Sequence, residues 1–221
     1  MLQLNDKEIL DLLQAFPKLK LKPLSTPEIV FEGLIEDKVR YKDFEELEFI
    51  YKIRIVVPEQ YPNELPDYFI IDESVTPDDD LHIQSKPYGK ICLGVPLRLM
   101  MELNKAQTLS KYTENVLLPF LYGLTYKLKN GRFPFDTVGH YAPGRLEEYK
   151  KMLKLKDETA IIKAFEILCM ENGNALFERC PCGCGKLYIS CNYRNTLEQY
   201  RDLSSKQWYR EEAKKIGRWY E

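Results

Sequence analysis

The segment from Leu47 to Val57 constrains this chain more than any other. Leu47, Phe49, Tyr51, Ile53, Ile55 and Val57 share one parity, with Glu48, Lys52 and Arg54 on the other. A period of two gathers those apolar side chains on one face only if the backbone is extended, so the segment predicts a half-buried strand. Such a strand needs neighbours and a covering layer. The neighbours are legible as Glu28 to Glu36, rich in β-branched and aromatic residues, and as Tyr68-Phe69-Ile70-Ile71 between Asp67 and Asp72. Pro58, Pro62 and Pro66 keep the connection between them irregular.

Helices flank this block. Asn5 followed by Glu8 has the spacing of a capping box, Ile9, Leu13 and Phe16 share a face, and Pro17 ends the segment. Thr108 is placed to cap a long helix reaching about Lys129, in which Pro119 predicts a kink or a break. Leu146, Tyr149 and Leu153 mark another helix, Asp157 opens one ending near Asn172-Gly173, and the last stretch is helical and polar. Residues 74–90 are polar and read as a loop, and 131–144 as irregular. Helix, strands, long loop, then helices predicts an α+β fold with an antiparallel β-meander, not alternating βαβ units. The expected division is one domain over 1–155 and a small helical, Cys-rich extension over 156–221.

Hydrophobic residues make up 44% of the 221, enough for a packed core. With 32 basic and 34 acidic residues interleaved, there is no electrostatic footprint for nucleic acid or an anionic membrane. The N-terminal residues lack the pattern of a signal peptide and no apolar run is long enough to span a bilayer, so a cytoplasmic location is expected. There is no Gly-rich phosphate loop. Six cysteines are present, four of them between positions 180 and 191, a crowding that favours metal or redox chemistry over structural disulfides.

Cys92 closes the polar loop in Gly89-Lys90-Ile91-Cys92-Leu93-Gly94, where glycines permit close backbone approach and Lys90 could favour a thiolate. An isolated Cys beside Ile and Leu is also the pattern of plain packing. Around it stand Tyr61-Pro62 and Pro66 before a strand, and His82 ten residues before Cys92. This combination resembles the ubiquitin-conjugating enzymes over roughly residues 5 to 155. The resemblance implies a UBC-like fold in which Cys92 carries an acyl group as a thioester and passes it to an amine. It implies that Gln84, at the position of the family's Asn, offers an amide to the oxyanion, and that His82 holds the loop. The chain departs from the pattern in having Ile83-Gln84 after His82, a longer stretch from Tyr61 to His82, and no Trp-Ser-Pro after Cys92.

The segments Leu118-Pro119-Phe120-Leu121, Gly131-Arg132-Phe133-Pro134-Phe135, Gly139-His140 and Gly144-Arg145-Leu146-Glu147-Glu148-Tyr149 resemble prokaryotic relatives encoded beside cyclic-oligonucleotide synthases in antiphage systems. That resemblance implies conjugation of the synthase's C-terminus to a target. The chain carries no adenylation signature, so a partner would supply activation. Two other readings stay open: a cysteine hydrolase using Cys92 with His140 as base, and an inactive UBC-fold binding module.

Cys180-Pro181-Cys182-Gly183-Cys184-Gly185-Lys186-Leu187-Tyr188-Ile189-Ser190-Cys191 resembles the SEC-C metal-binding motif. The resemblance implies a structural zinc site on Cys180, Cys182 and Cys191. The motif's fourth ligand position is Asn192 here, a poor substitute, and Cys184, standing where the motif has Ser, is the candidate to take its place. A vestigial loop of reduced thiols is the competing reading. Cys169, on a helical apolar face, reads as core.

Overall fold

The computed structural model describes residues 4–23, 27–135 and 141–218. The chain forms two compact units, Met1–Thr137 and Val138–Glu221.

In the first unit, helix α1 (Asp6–Ala15) is capped by Asn5, whose side chain accepts from the Glu8 N–H at 3.0 Å. Only half of the capping box forms. The Glu8 carboxylate instead accepts from the Leu109 N–H at 3.3 Å, serving the first turn of a distant helix. Strands β1 (Leu19–Leu21), β2 (Ile29–Arg40), β3 (Glu46–Val57) and β4 (Asp67–Ile70) form an antiparallel meander. A hairpin of two short strands, β5 (Ile83–Gln84) and β6 (Lys90–Ile91), joins it through β6, giving the order β1-β2-β3-β4-β6-β5. In β3 the side chains of Leu47, Phe49, Tyr51, Ile53, Ile55 and Val57 are all buried, as the alternation requires. Gly33 is fixed by geometry, because a Cβ there would lie 2.1 Å from the carbonyl of Lys18, the residue just before its pairing partner Leu19 in the edge strand.

Helices α2 (Pro96–Ala106) and α3 (Leu109–Asn130) follow. Helix α3 lies on the buried face of the sheet, where Tyr68 Oη and Thr113 Oγ1 are 2.8 Å apart and Tyr51 Oη and Thr125 Oγ1 are 3.0 Å apart. Its 22 residues run through Pro119 without a break, contrary to one of the two expectations for that residue. Helix α2 lies where sequence reading saw only the absence of a family motif, and residues 74–90 hold a 3-10 turn (Asp79–Leu81) and β5 rather than loop alone.

The second unit is helical: α4 (Tyr141–Leu153), α5 (Glu158–Cys169), the single turns α6 (Asn172–Ala175) and α7 (Arg194–Leu197), and α8 (Lys206–Arg218). Asp157 caps α5 by accepting from the Ala160 N–H at 2.9 Å. Helix α5 stops at Cys169, earlier than expected, because Met170 is extended. Cys169 is half-buried rather than core, its thiol donating to the Glu166 carbonyl at 3.0 Å. Among the described residues no helix is long and apolar enough to cross a membrane.

Candidate functional site

Cys92 emerges from the β5–β6 hairpin. Ile83 pairs with Ile91 and Gln84 with Lys90, and the ladder continues in a 2.8 Å bond from the Cys92 N–H to the His82 carbonyl. Ile83 and Ile91 are buried, so Gln84, Lys90 and Cys92 take the opposite, outer face. Gln84 and Cys92 are therefore diagonal neighbours, a relation that separates residues by about 7–8 Å, Cβ atoms by somewhat less, and lies within reach of a long side chain. Cys92 is exposed, which removes the packing explanation for it.

The hairpin is locked to the sheet. Gly89 has φ of 79° and accepts from the Ile70 N–H at 2.9 Å, and a Cβ at Gly89 would meet the Ile70 carbonyl at 2.3 Å. Phe69 pairs with Lys90, so one outer row crosses five strands as Glu32, Arg54, Phe69, Lys90 and Gln84. The Lys90 ammonium sits 2.6 Å from an oxygen of Asp67. It is thus engaged with a carboxylate, in place of the thiolate-favouring role suggested by its sequence position.

His82 is buried, with φ of 56°, at the end of the 3-10 turn. Its ring meets Phe133 edge-on at 5.5 Å between centroids. Lys127, from α3, lies 5.0 Å over the same Phe133 ring and donates to the Asp80 carbonyl at 2.8 Å and to its carboxylate at 2.5 Å. Asp80, Phe133 and Lys127 clamp the turn that presents the His82 carbonyl to Cys92. Lys127 escaped sequence reading because nothing near Cys92 in the chain points to a residue 35 positions on. His140, the base of the hydrolase reading, lies outside the described residues.

The second unit holds a separate cluster. The sulfurs of Cys180, Cys182, Cys184 and Cys191 all lie within 4.8 Å of one another. Individual separations are 3.2 Å between Cys180 and Cys182, 3.6 Å between Cys182 and Cys191, and 3.5 Å between Cys184 and Cys191. No disulfide joins them. Metal–sulfur bonds of about 2.3 Å in a tetrahedron set sulfurs roughly 3.8 Å apart, so these four could hold one metal ion.

The loop is built for this. An antiparallel bridge pairs Arg179 with Leu187, and Gly183 and Gly185 turn the chain with φ of 78° and 76°. The N–H groups of Cys182, Cys184 and Lys186 each serve the sulfur two residues before them. That donor from Lys186 is the main reason the exposed Cys184 thiol is lowered to about 7, whereas burial raises Cys180 and Cys182. Tyr188, fully buried, donates from its Oη to Glu198 at 2.9 Å, and Arg201 bridges Glu198 to the carbonyls of Ile167, Leu168 and Met170 at the end of α5. The knuckle is thereby tied to the C-terminus of α5.

Compared with family profiles, with curated proteins and with solved structures, the chain matches none.

Proposed function

We propose that this protein is a cytoplasmic, ubiquitin-conjugating-like transferase. Cys92 takes the C-terminal acyl group of a protein as a thioester and delivers it to an amine. The observation that carries this reading is the exposed Cys92 at the mouth of a hairpin anchored to a β-meander, with a carboxamide, Gln84, on the same face. An exposed thiol on a rigid support suits acyl exchange, and aminolysis of a thioester needs little beyond orientation and a donor to the oxyanion. Gln84 is that donor in this reading, and His82 a positioning residue that fixes the Cys92 backbone.

The acyl partner belongs with a second protein that activates it. The resemblance to relatives beside cyclic-oligonucleotide synthases supports a synthase as the protein carried and antiphage defence as the setting. In the second unit the four thiolates would bind zinc as a structural ion, each corner of the tetrahedron being filled by sulfur.

The test is coexpression with the neighbouring genes. Wild type should yield an adduct that thiol reducing agents release, Cys92→Ala none, and Cys92→Ser a more stable oxyester. Full transfer activity in Cys92→Ala would end the proposal.

A further inference from the structure

Lys90 poses a chemical problem that the conjugating reading creates. It lies two residues before Cys92 in extended chain, and Ile91 between them is buried, so amine and thiol share the outer face. A primary amine on the same face two residues away is an intramolecular acceptor for a thioester on Cys92, and intramolecular attack has a large proximity advantage. Attack of the Lys90 amine on the thioester carbonyl would form a C–N bond, break the C–S bond and pass the amine's proton to the departing sulfur, which returns the Cys92 thiol. The acyl group would end as an amide on Lys90, beyond recovery by exchange with another thiol.

Resting on the acyl-carrier reading above, we infer that Asp67 guards the thioester by holding Lys90. The Lys90 ammonium donates to Asp67 Oδ2 at 2.6 Å. Phe69, two residues on in the same strand, is the residue that faces Lys90 across the ladder, so the carboxylate reaches the ammonium diagonally from β4. An ammonium nitrogen has no lone pair, and one bound to a carboxylate must break that pair before it can attack. The side chains are 30% and 44% exposed, so the pair is open enough to be screened by salt and closed enough to be populated. Lys90 is then a latent self-acylation site and Asp67 the group that keeps it silent.

The probe is a short peptide ending in a glycine alkyl thioester, which loads an accessible cysteine by exchange without an activating enzyme. The full chain is loaded, freed of excess probe and followed by intact mass and by peptide mapping. Wild type should hold the acyl group on Cys92 in thiol-releasable form. In Asp67→Asn a thiol-resistant adduct should map to Lys90 and accumulate about two- to fivefold faster, the range expected when an exposed ion pair is lost. Asp67→Glu should restore the wild-type rate, and adding Lys90→Arg to Asp67→Asn should abolish the amide. In unmutated protein high salt should raise the Lys90 adduct, which keeps the test independent of how the variant folds. Loading of Cys92 with equal, salt-independent acylation of Lys90 in wild type and Asp67→Asn overturns the guard and leaves the carrier reading standing. Failure of Cys92 to load at all overturns both.

Discussion

His82 shows how one residue sets the geometry of another. Its positive φ turns the chain so that its carbonyl meets the Cys92 N–H, and its buried ring is held against Phe133. Lys127 secures the same turn from α3 with only 13% of its side chain exposed. Lys127→Met should therefore cost about 1–2 kcal/mol in denaturant unfolding, from two lost hydrogen bonds. It should also slow transfer from Cys92, and Lys127→Arg should restore part of both. In the proposed reaction Gln84 would act later. Gln84→Ala should leave loading intact while slowing discharge by up to about a hundred- to a thousand-fold, the effect of deleting one oxyanion donor. Single-turnover discharge of preloaded protein measures it, and equal rates would reduce Gln84 to an ordinary surface residue of β5.

At the scale of elements, the hairpin depends on backbone approach that side chains would block. Gly89→Ala should displace β6 from β4 and lower stability by about 1–3 kcal/mol, since both φ and the Ile70 carbonyl oppose a Cβ. Thermal unfolding checks this, and a variant as stable as wild type would contradict it. The long β3 strand was legible because its period extends over many residues, and the caps at Asn5, Thr108 and Asp157 were legible because each side chain accepts from an N–H three residues on. Strands β5 and β6 were not, since two residues carry no period and their register comes from Gly89 and β4. Helix α2 left a signal that went unread: Pro96 begins it, and Leu97, Met100 and Leu103 are buried at helical spacing. The candidate metal set was legible in its likeness to a known motif at Cys180, Cys182 and Cys191, with Cys184 as the substitute fourth ligand whose geometry the sequence left open. The place of Cys184 among them needed the two glycine turns, which fold its sulfur back to 3.5 Å from Cys191.

The whole molecule divides its labour between a sheet-based unit carrying Cys92 and a helical unit carrying four thiols. Elemental analysis of reduced protein should find about one zinc per chain. Chelation should lower hydrogen-exchange protection first between Leu176 and Arg201, because metal binding and local folding are linked and that stretch runs from the knuckle to the α5 tie. Protein without bound metal and with unchanged exchange on chelation would return the cluster to a set of spare thiols. The central claim concerns Cys92 and is tested most directly by the intact mass of the chain isolated after coexpression with the products of its neighbouring genes, before and after a thiol reducing agent. The account predicts an added mass equal to a protein acylated through its C-terminus, mapped to Cys92 and lost on reduction. A chain that stays at its unmodified mass in the presence of active partners, with Cys92 free, would contradict it.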